Sequence, residues 1–288
     1  MKQWFMVIDV ARCENCNNCL LACKDEHVDN DWPGYAAPQP RLGQRWMKIE
    51  CRERGQFPLI DVAYRPTPCM HCTNPPCEAA SNGAITRRGD GIVLIDPLKA
   101  KGQHHLVDAC PYGAIEWNAE LQLPQKCTLC AHLLDQGWKQ TRCVQACPTG
   151  ALKMEHETAE EMTARTQAQG LAVLHPDSGT QPHIYYANLH RFDRVFIAGS
   201  IAYEAGGVSD CAAGAKVRLS RNGASRGETV ADAFGDFRFD GLEPGSETFK
   251  VSIEFNGVRQ EVAVPSLERS LNLGVLRCST ETASFSPA

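Results

Sequence analysis

Fifteen cysteines stand in a chain of 288 residues, and thirteen of them fall between Cys13 and Cys147. They come in groups. The first is Cys13-x2-Cys16-x2-Cys19-x3-Cys23, and the second is Cys69-x2-Cys72-x4-Cys77. The third is Cys110 followed by Pro111, and the fourth is Cys127-x2-Cys130 with Cys143-x3-Cys147-Pro148. Two-residue spacing turns successive sulfurs toward one centre, and the first group has the bacterial ferredoxin spacing, with Lys24 where proline is usual. The chemistry such groups support is one-electron transfer on [4Fe–4S] cubanes, each held by four thiolates.

In two-cluster ferredoxins the fourth cysteine of a run ligates the other cluster. Applied to nested ferredoxin-like units, this rule predicts three sets. Cys13, Cys16 and Cys19 share a cluster with Cys147; Cys127, Cys130 and Cys143 share one with Cys23; Cys69, Cys72 and Cys77 share one with Cys110. A fourth cluster would need a cysteine where Ser81 stands, and three more at Ala100, Gln103 and Leu106. All four absent ligands belong to one cluster under the crossing rule, whereas random loss would strand a cysteine. Structural zinc also uses four-cysteine sites, but triple runs, two Cys-Pro pairs and crossed spacing speak against it. Cys130-Ala131-His132 offers half of a Rieske pattern and has no partner. Cys51, Cys211 and Cys278 lie outside the code and are expected to be buried or free thiols.

These ligands need loops held by short elements. Within a ferredoxin-like domain expected over 1–195, residues 1 to about 150 are Cys-rich and Pro-punctuated, with short strands expected at Phe5–Ile8 and Ile92–Ile95. A connector helix is expected over 155–170, from the capping box Thr158/Glu161 to Gly170. Residues 196–278 change character. Ala215, Val217 and Leu219 alternate with polar residues, as do Phe249, Val251, Ile253 and Phe255, and then Leu271, Leu273 and Val275. Turn signals at Asn222-Gly223, Phe234-Gly235-Asp236 and Asn256-Gly257 separate them. The expected fold is α+β: a duplicated ferredoxin-like domain followed by a small all-β sandwich or barrel, with a tail over 279–288.

Composition narrows the partners. Hydrophobic residues make up 43% and charged residues 22%, ordinary values for a globular chain, and the net charge of −5 gives no nucleic-acid footprint. No apolar run reaches the roughly 18 residues of a membrane span. Met1 to Arg12 lacks a signal-peptide core and cleavage site. A cytoplasmic chain is expected, associated with a membrane only through partners.

The cysteine groups resemble those of the iron–sulfur β-subunits of the dimethyl-sulfoxide-reductase family of molybdenum enzymes. Met6-Val7-Ile8-Asp9-Val10-Ala11, Cys16-Asn17-Asn18-Cys19, Trp32-Pro33-Gly34-Tyr35, Tyr64 through Cys72 and Cys127 through Asp135 narrow the likeness to one type. It is the small subunit that serves pyrogallol–phloroglucinol transhydroxylase and resorcinol or related polyphenol hydroxylases. Asp90 to Pro97 and Cys110-Pro111-Tyr112-Gly113 also fit. The likeness spans nearly the whole chain, including the β domain; the last ten residues and Cys278 have no counterpart. Most of the wider family holds four clusters, so the expectation of three is a departure from it. The resemblance implies a heterodimer or larger assembly for anaerobic aromatic hydroxylation. The large subunit would carry a molybdenum bis-pterin cofactor and bind a polyhydroxylated aromatic, while this chain carries electrons.

Three functions follow as alternatives. Hydroxylation with oxygen from water releases two electrons, which a string of clusters would pass to an external acceptor. A redox-neutral transhydroxylase would only store or poise them. A respiratory molybdenum reductase would use the same relay for another substrate class, and the β domain argues against it. His71 and His132 are expected to tune cluster potential or pack, Lys126 to raise a nearby potential, and His104-His105 to be a solvated pair. Trp4, Trp32, Trp46, Trp117 and Trp138 are expected as core or interface anchors. The β domain offers no nucleophile–base constellation and reads as a docking or covering module.

Overall fold

The computed structural model describes residues 1–205, 207–245 and 247–279; the expected tail lies, from residue 280 on, outside the described residues. The chain divides into two compact units. The first holds Met1–Cys51 and Ala63–Leu189, and the second holds Arg52–Val62 and the chain from His190 onward. The expected division at 195/196 therefore shifts to 189/190, and a hairpin tip from the N-terminal half groups with the C-terminal unit. That tip joins the paired strands Lys48–Gln56 and Leu59–Thr67. Its stretch Arg52-Glu53-Arg54 is charged and carries no apolar alternation to mark where it packs.

The first unit is organised on the strand Gln3–Asp9. It pairs antiparallel with Leu152–Glu157 and parallel with Ile184–Ala187. Trp4 to Ile8 are all buried, so both faces of this central strand are covered. The helix Ala159–Gln169 begins at the expected capping box, where the Thr158 hydroxyl accepts from Glu161 N–H and the Glu161 carboxylate accepts from Thr158 N–H. Gly170 ends it at φ 60°. The helix is shorter than expected, because Glu155, His156 and Glu157 pair with Phe5, Trp4 and Gln3 in the sheet. Met162 and Leu171 pack with Phe5 and Val7; each such apolar side chain contributes about 1.5–3 kcal/mol by leaving water. The unit also holds two hairpins, Ile85–Arg87 with Val93–Ile95 and Glu116–Asn118 with Leu123–Gln125, and the helix Asn18–His27, which carries Cys19 and Cys23.

The second unit has two four-stranded sheets. One is centred on Val195–Ala205, flanked antiparallel by Val208–Cys211 and Asp236–Leu242 and paired in parallel with Leu271–Ser279. The other runs Ala224–Val230, Lys216–Arg221, Phe249–Phe255, Val258–Val264. Val217, Leu219, Phe249, Val251 and Ile253 face one core with Ile197, Ile201, Phe237 and Leu276. Asn222-Gly223 and Asn256-Gly257 have positive φ at both residues, as a two-residue primed hairpin turn requires. The last expected alternation slips. Leu271 and Leu273 pack against the core, but Gly274 has φ 68°, the register shifts there, and Val275 turns outward while Leu276 and Cys278 are buried. A bulge adds one residue and flips every later side chain to the other face.

A charged knot ties the hairpin tip to the rest of the second unit. The Arg54 side chain is 4% exposed and holds Asp240 through two hydrogen bonds of 2.7 and 2.8 Å. It also holds Asp61, which accepts from Arg191 and Arg238 as well. Phe196 lies under both Arg54 and Arg238, with ring-centroid distances of 5.3 and 4.0 Å. Burial opposes ionisation of Asp61, but the hydrogen bonds from Arg238, Arg191 and Arg54 outweigh it and hold the carboxyl well below the usual carboxylate range. Asp240 is lowered in the same way: burial raises it and Arg54 and Arg238 more than reverse that. Both folded-state values lie below the unfolded ones. The stabilisation is therefore complete above the ordinary Asp value of 3.8 and is lost as pH falls below it. Asp61→Asn is expected to lower stability by about 3 kcal/mol at neutral pH. It should also flatten the fall in unfolding temperature between pH 5 and pH 2 (about the span over which such a carboxylate protonates). Thermal unfolding of both proteins across that range checks it; parallel curves would refute the assignment.

Candidate iron–sulfur centres

All twelve cysteines of the ferredoxin-like code lie in the first unit, and they gather in three neighbourhoods. Cys19 lies within electrostatic reach of Cys13, Cys16 and Cys147. Cys23 faces Cys127, Cys130 and Cys143, and these four line one cavity together with Met6, His27, Trp46 and Leu129. Cys72 faces Cys69, Cys77 and Cys110. The neighbourhoods also touch. Cys143 feels Cys19 of the first, and Cys127 feels Cys69 of the third. The second neighbourhood therefore stands between the other two. Among the described residues no three His, Cys, Asp or Glu side chains converge on a point for one metal ion. A cubane spreads its four thiolates over four different irons, so its ligands need not converge as those of one zinc ion do.

In three of the four Cys-x2-Cys turns the backbone is left-handed just before the second cysteine, and in Cys16-x2-Cys19 it is left-handed one residue earlier, at Asn17 (φ 61°). Asn15, His71 and Leu129 have φ of 55°, 44° and 54°. Such a conformation is rare for a leucine and clusters at ligand-binding loops. It turns successive N–H groups inward as an anion-binding nest. His71 N–H reaches the Cys69 sulfur at 3.5 Å, and Leu129 N–H reaches that of Cys127 at 3.4 Å. Ala114 N–H reaches Cys110 at 3.5 Å, and the Thr141 hydroxyl lies 3.1 Å from the Cys143 sulfur.

The electrostatics fit a cationic iron core. Burial pushes Cys19, Cys72 and Cys143 up to about 12, and Cys77 and Cys127 up to about 11, with neighbouring sulfurs adding to the rise. Cys23 and Cys130 are raised well above the ordinary thiol range for the same reasons. Cys147 goes the other way: burial opposes it, but hydrogen bonds from the Leu152, Ala151 and Thr149 backbone and the Thr149 hydroxyl prevail and lower it. Metal coordination supplies the positive charge that lets several buried sulfurs ionise together.

The position without cysteines is filled. Ser81-Asn82-Gly83-Ala84-Ile85 ends in the same Gly-Ala-apolar sequence as Cys110-Pro111-Tyr112-Gly113-Ala114-Ile115 and Cys147-Pro148-Thr149-Gly150-Ala151-Leu152, with one residue fewer before the glycine. The glycines have φ of 79°, 58° and 61°. Ser81 Oγ accepts from Ile85 N–H at 2.9 Å and donates to the Glu78 carbonyl at 2.8 Å. Ala100 and Leu106 are fully buried among Ile85, Ile95 and Ile115, and Gln103 donates to the Lys99 carbonyl.

Around the sulfurs lie groups that the spacing gave no means of finding. Thr141 and Thr149 bond sulfurs, and Thr180 bonds the Cys72 sulfur while its hydroxyl also meets Tyr112. His71 is completely buried and accepts from Val93 N–H at 3.0 Å through Nδ1; burial, then Lys126 and His183, hold it neutral. His132 pairs with Glu26 at 2.8 Å and stacks on Trp32 with centroids 4.0 Å apart. His104 and His105 are exposed, yet His104 packs against Trp117 and His105 meets the Ala80 carbonyl. Trp4 and Trp46 are buried, whereas Trp138 is exposed. Cys51 and Cys211 are exposed thiols and Cys278 is buried.

Residues 60–157 match the family model of a 4Fe-4S dicluster domain. The pyrogallol hydroxytransferase small subunit of Pelobacter acidigallici is 45% identical over 280 residues, which is 96% of this chain and 100% of that protein. The chain belongs to the iron–sulfur subunits of the dimethyl-sulfoxide-reductase family of molybdenum enzymes. A sulfite dehydrogenase subunit of Allochromatium vinosum is 32% identical over 65% of this chain and 83% of its own length. A tetrathionate reductase subunit of Salmonella typhimurium is also 32% identical, over 65% of this chain and 73% of its own. As a member of these iron–sulfur subunits, the chain is the electron-transfer component of an oxidoreductase whose large subunit is catalytic. A match over 96% of the chain must include the second unit, which the 65% matches need not reach. No helix among the described residues is long and apolar enough to cross a membrane.

Ser81 gives a direct test of the filled position. Ser81→Ala is expected to destabilise by about 1–2 kcal/mol, because the buried Ile85 N–H loses its acceptor. Cluster EPR signals should stay unchanged. Ser81→Cys should leave iron content unchanged, since Ala100, Gln103 and Leu106 offer no further ligands; a gain of four irons would overturn this.

Proposed function

We propose that this chain holds three [4Fe–4S] clusters on Cys13/Cys16/Cys19/Cys147, Cys23/Cys127/Cys130/Cys143 and Cys69/Cys72/Cys77/Cys110. They relay electrons from a molybdenum bis-pterin site on the large subunit, where a polyhydroxylated aromatic is hydroxylated, to an acceptor. The observation that carries the reading is the file of three four-thiol neighbourhoods joined through Cys19–Cys143 and Cys127–Cys69. Each bound cluster takes up and releases one electron at a time. The chain's own residues fix the sulfurs, aim N–H groups at them and keep the gaps short. The filling of the fourth position by Ala100 and Leu106 supports three clusters rather than four. The paired turns at Cys110 and Cys147 support a duplicated ferredoxin-like unit, and the two facing sheets support a sandwich for the second unit.

Net hydroxylation balances as an aromatic C–H and water giving C–OH, two protons and two electrons. The relay must then export both electrons one after the other. A second reading is favoured by the full-length likeness to a pyrogallol hydroxytransferase small subunit. There the hydroxyl moves between two aromatics, no electron leaves overall, and the clusters poise the molybdenum site.

Two measurements on the assembled enzyme decide these points. Iron analysis is expected to give about twelve irons per copy of this chain beyond any held by the large subunit, four for each cubane; about sixteen would overturn the cluster count. Adding the aromatic substrate under anaerobic conditions should reduce the clusters, and product should then match acceptor consumed at two electrons per molecule. Sustained turnover without any acceptor would replace this reading with the redox-neutral one.

A further inference from the structure

Lys126 precedes the cysteine whose sulfur faces the third neighbourhood, and it is 3% exposed. Its ammonium donates to the carbonyls of Val93 and Cys127. Among the described residues it has no carboxylate partner. A buried ammonium with only carbonyls around it is costly, by several kcal/mol, unless an anion neutralises it. The anions within reach are sulfurs from two neighbourhoods. Lys126 acts on Cys127 of the second and on Cys77 and Cys110 of the third. The Cys69 N–H also bonds the Cys127 sulfur, so the two sets meet where the lysine stands. His71, on the Val93 amide beside it, is neutral and adds no competing charge.

We propose that Lys126 is the shared counter-cation of the second and third clusters and sets both of their reduction potentials above the value they would have without it. A [4Fe–4S] core with four thiolates carries net negative charge, and reduction adds another. A fixed positive charge at the junction favours the reduced form of both neighbours. The first cluster, on Cys13/Cys16/Cys19/Cys147, lies beyond the second and gains far less, since interaction energy falls with distance. The lysine thereby draws electrons inward from the first cluster and holds them at the junction of the other two. This rests on the three-cluster reading above.

The test is a redox titration followed by EPR on the assembled enzyme, with Lys126→Met, Lys126→Gln and Lys126→Arg. Signals are assigned with Cys16→Ser, which perturbs the first centre. In Met and Gln variants the reduced-to-oxidised ratio of the second and third clusters at fixed ambient potential is expected to fall about tenfold, equivalent to 59 mV for one electron. The first cluster should move much less, and Arg should restore the wild-type ratios. Equal shifts of all three clusters, no shift in a fully iron-loaded variant, or an Arg variant behaving like Met would overturn the proposal. So would loss of iron from both neutral variants, which would make the lysine structural. Wild-type enzyme lacking three signals would instead overturn the cluster count itself, so the two failures are distinguishable.

Discussion

Everything in the first unit follows from one electrostatic problem. Buried sulfurs must sit close enough together to share inorganic cores, yet burial and mutual repulsion both resist their ionisation. Iron supplies most of the compensating charge. The protein supplies the rest through backbone N–H donors in left-handed turns at Asn15, His71 and Leu129, hydroxyls at Thr141 and Thr149, and one buried ammonium. Short elements suit this task. A long helix or strand would use its own N–H groups in its ladder and leave few to aim at sulfur.

The central strand Gln3–Asp9 anchors these turns without taking part in them. Its neighbours Leu152–Glu157 and Ile184–Ala187 begin or end close in sequence to Cys147 and to the Thr180–His183 stretch beside Cys72. The Cys147 turn is thus fastened directly to the sheet: Leu152 is already paired with Ile8, while its N–H is among those lowering the Cys147 thiol. Rigid pairing on one side of the turn is what fixes the sulfur on the other. Preorganised ligands of this kind limit the rearrangement that accompanies each change of oxidation state.

Much of this is legible in the sequence, and the parts that are not share a cause. Cysteine spacing is a local signal with few physical meanings, so the groups and the absent ligands at Ser81, Ala100, Gln103 and Leu106 can be written down directly. Capping at Thr158 and the primed turns at Asn222-Gly223 and Asn256-Gly257 are equally local. What escapes depends on distant partners. Glu155–Glu157 read as the start of a helix because nothing nearby shows that Gln3–Phe5 would claim them. Val275 reads as inward because a bulge at Gly274 is a property of the pairing with Ala198–Ser200, not of the alternation. The hairpin tip 52–62 reads as part of the first unit because its packing is ionic, through Arg54 and Asp61, and charged residues carry no periodic mark of where they are buried.

The filled fourth position separates two functions that the cysteine normally combines. In the proposed reading the cysteine at the start of the Cys-Pro-x-Gly-Ala turn would bind iron, and Cys110 also accepts the Ala114 N–H that closes the turn. Ser81 keeps the second role, at 2.9 Å from Ile85 N–H, and gives up the first. A hydroxyl is a shorter and better acceptor of an amide proton than a sulfur, and it needs no metal to be stable when buried. With Ala100 and Leu106 in place of ligands, that corner folds as an ordinary apolar core. The three thiol neighbourhoods have no such substitute, and burial holds thiols such as Cys19, Cys23 and Cys72 neutral, which leaves their turns short of anions for the N–H groups to meet. Folding there is tied to metal in a way that folding at Ser81 is not. That apolar corner supports the third neighbourhood through Cys77, which packs in the same cluster as Ile85 and Leu106.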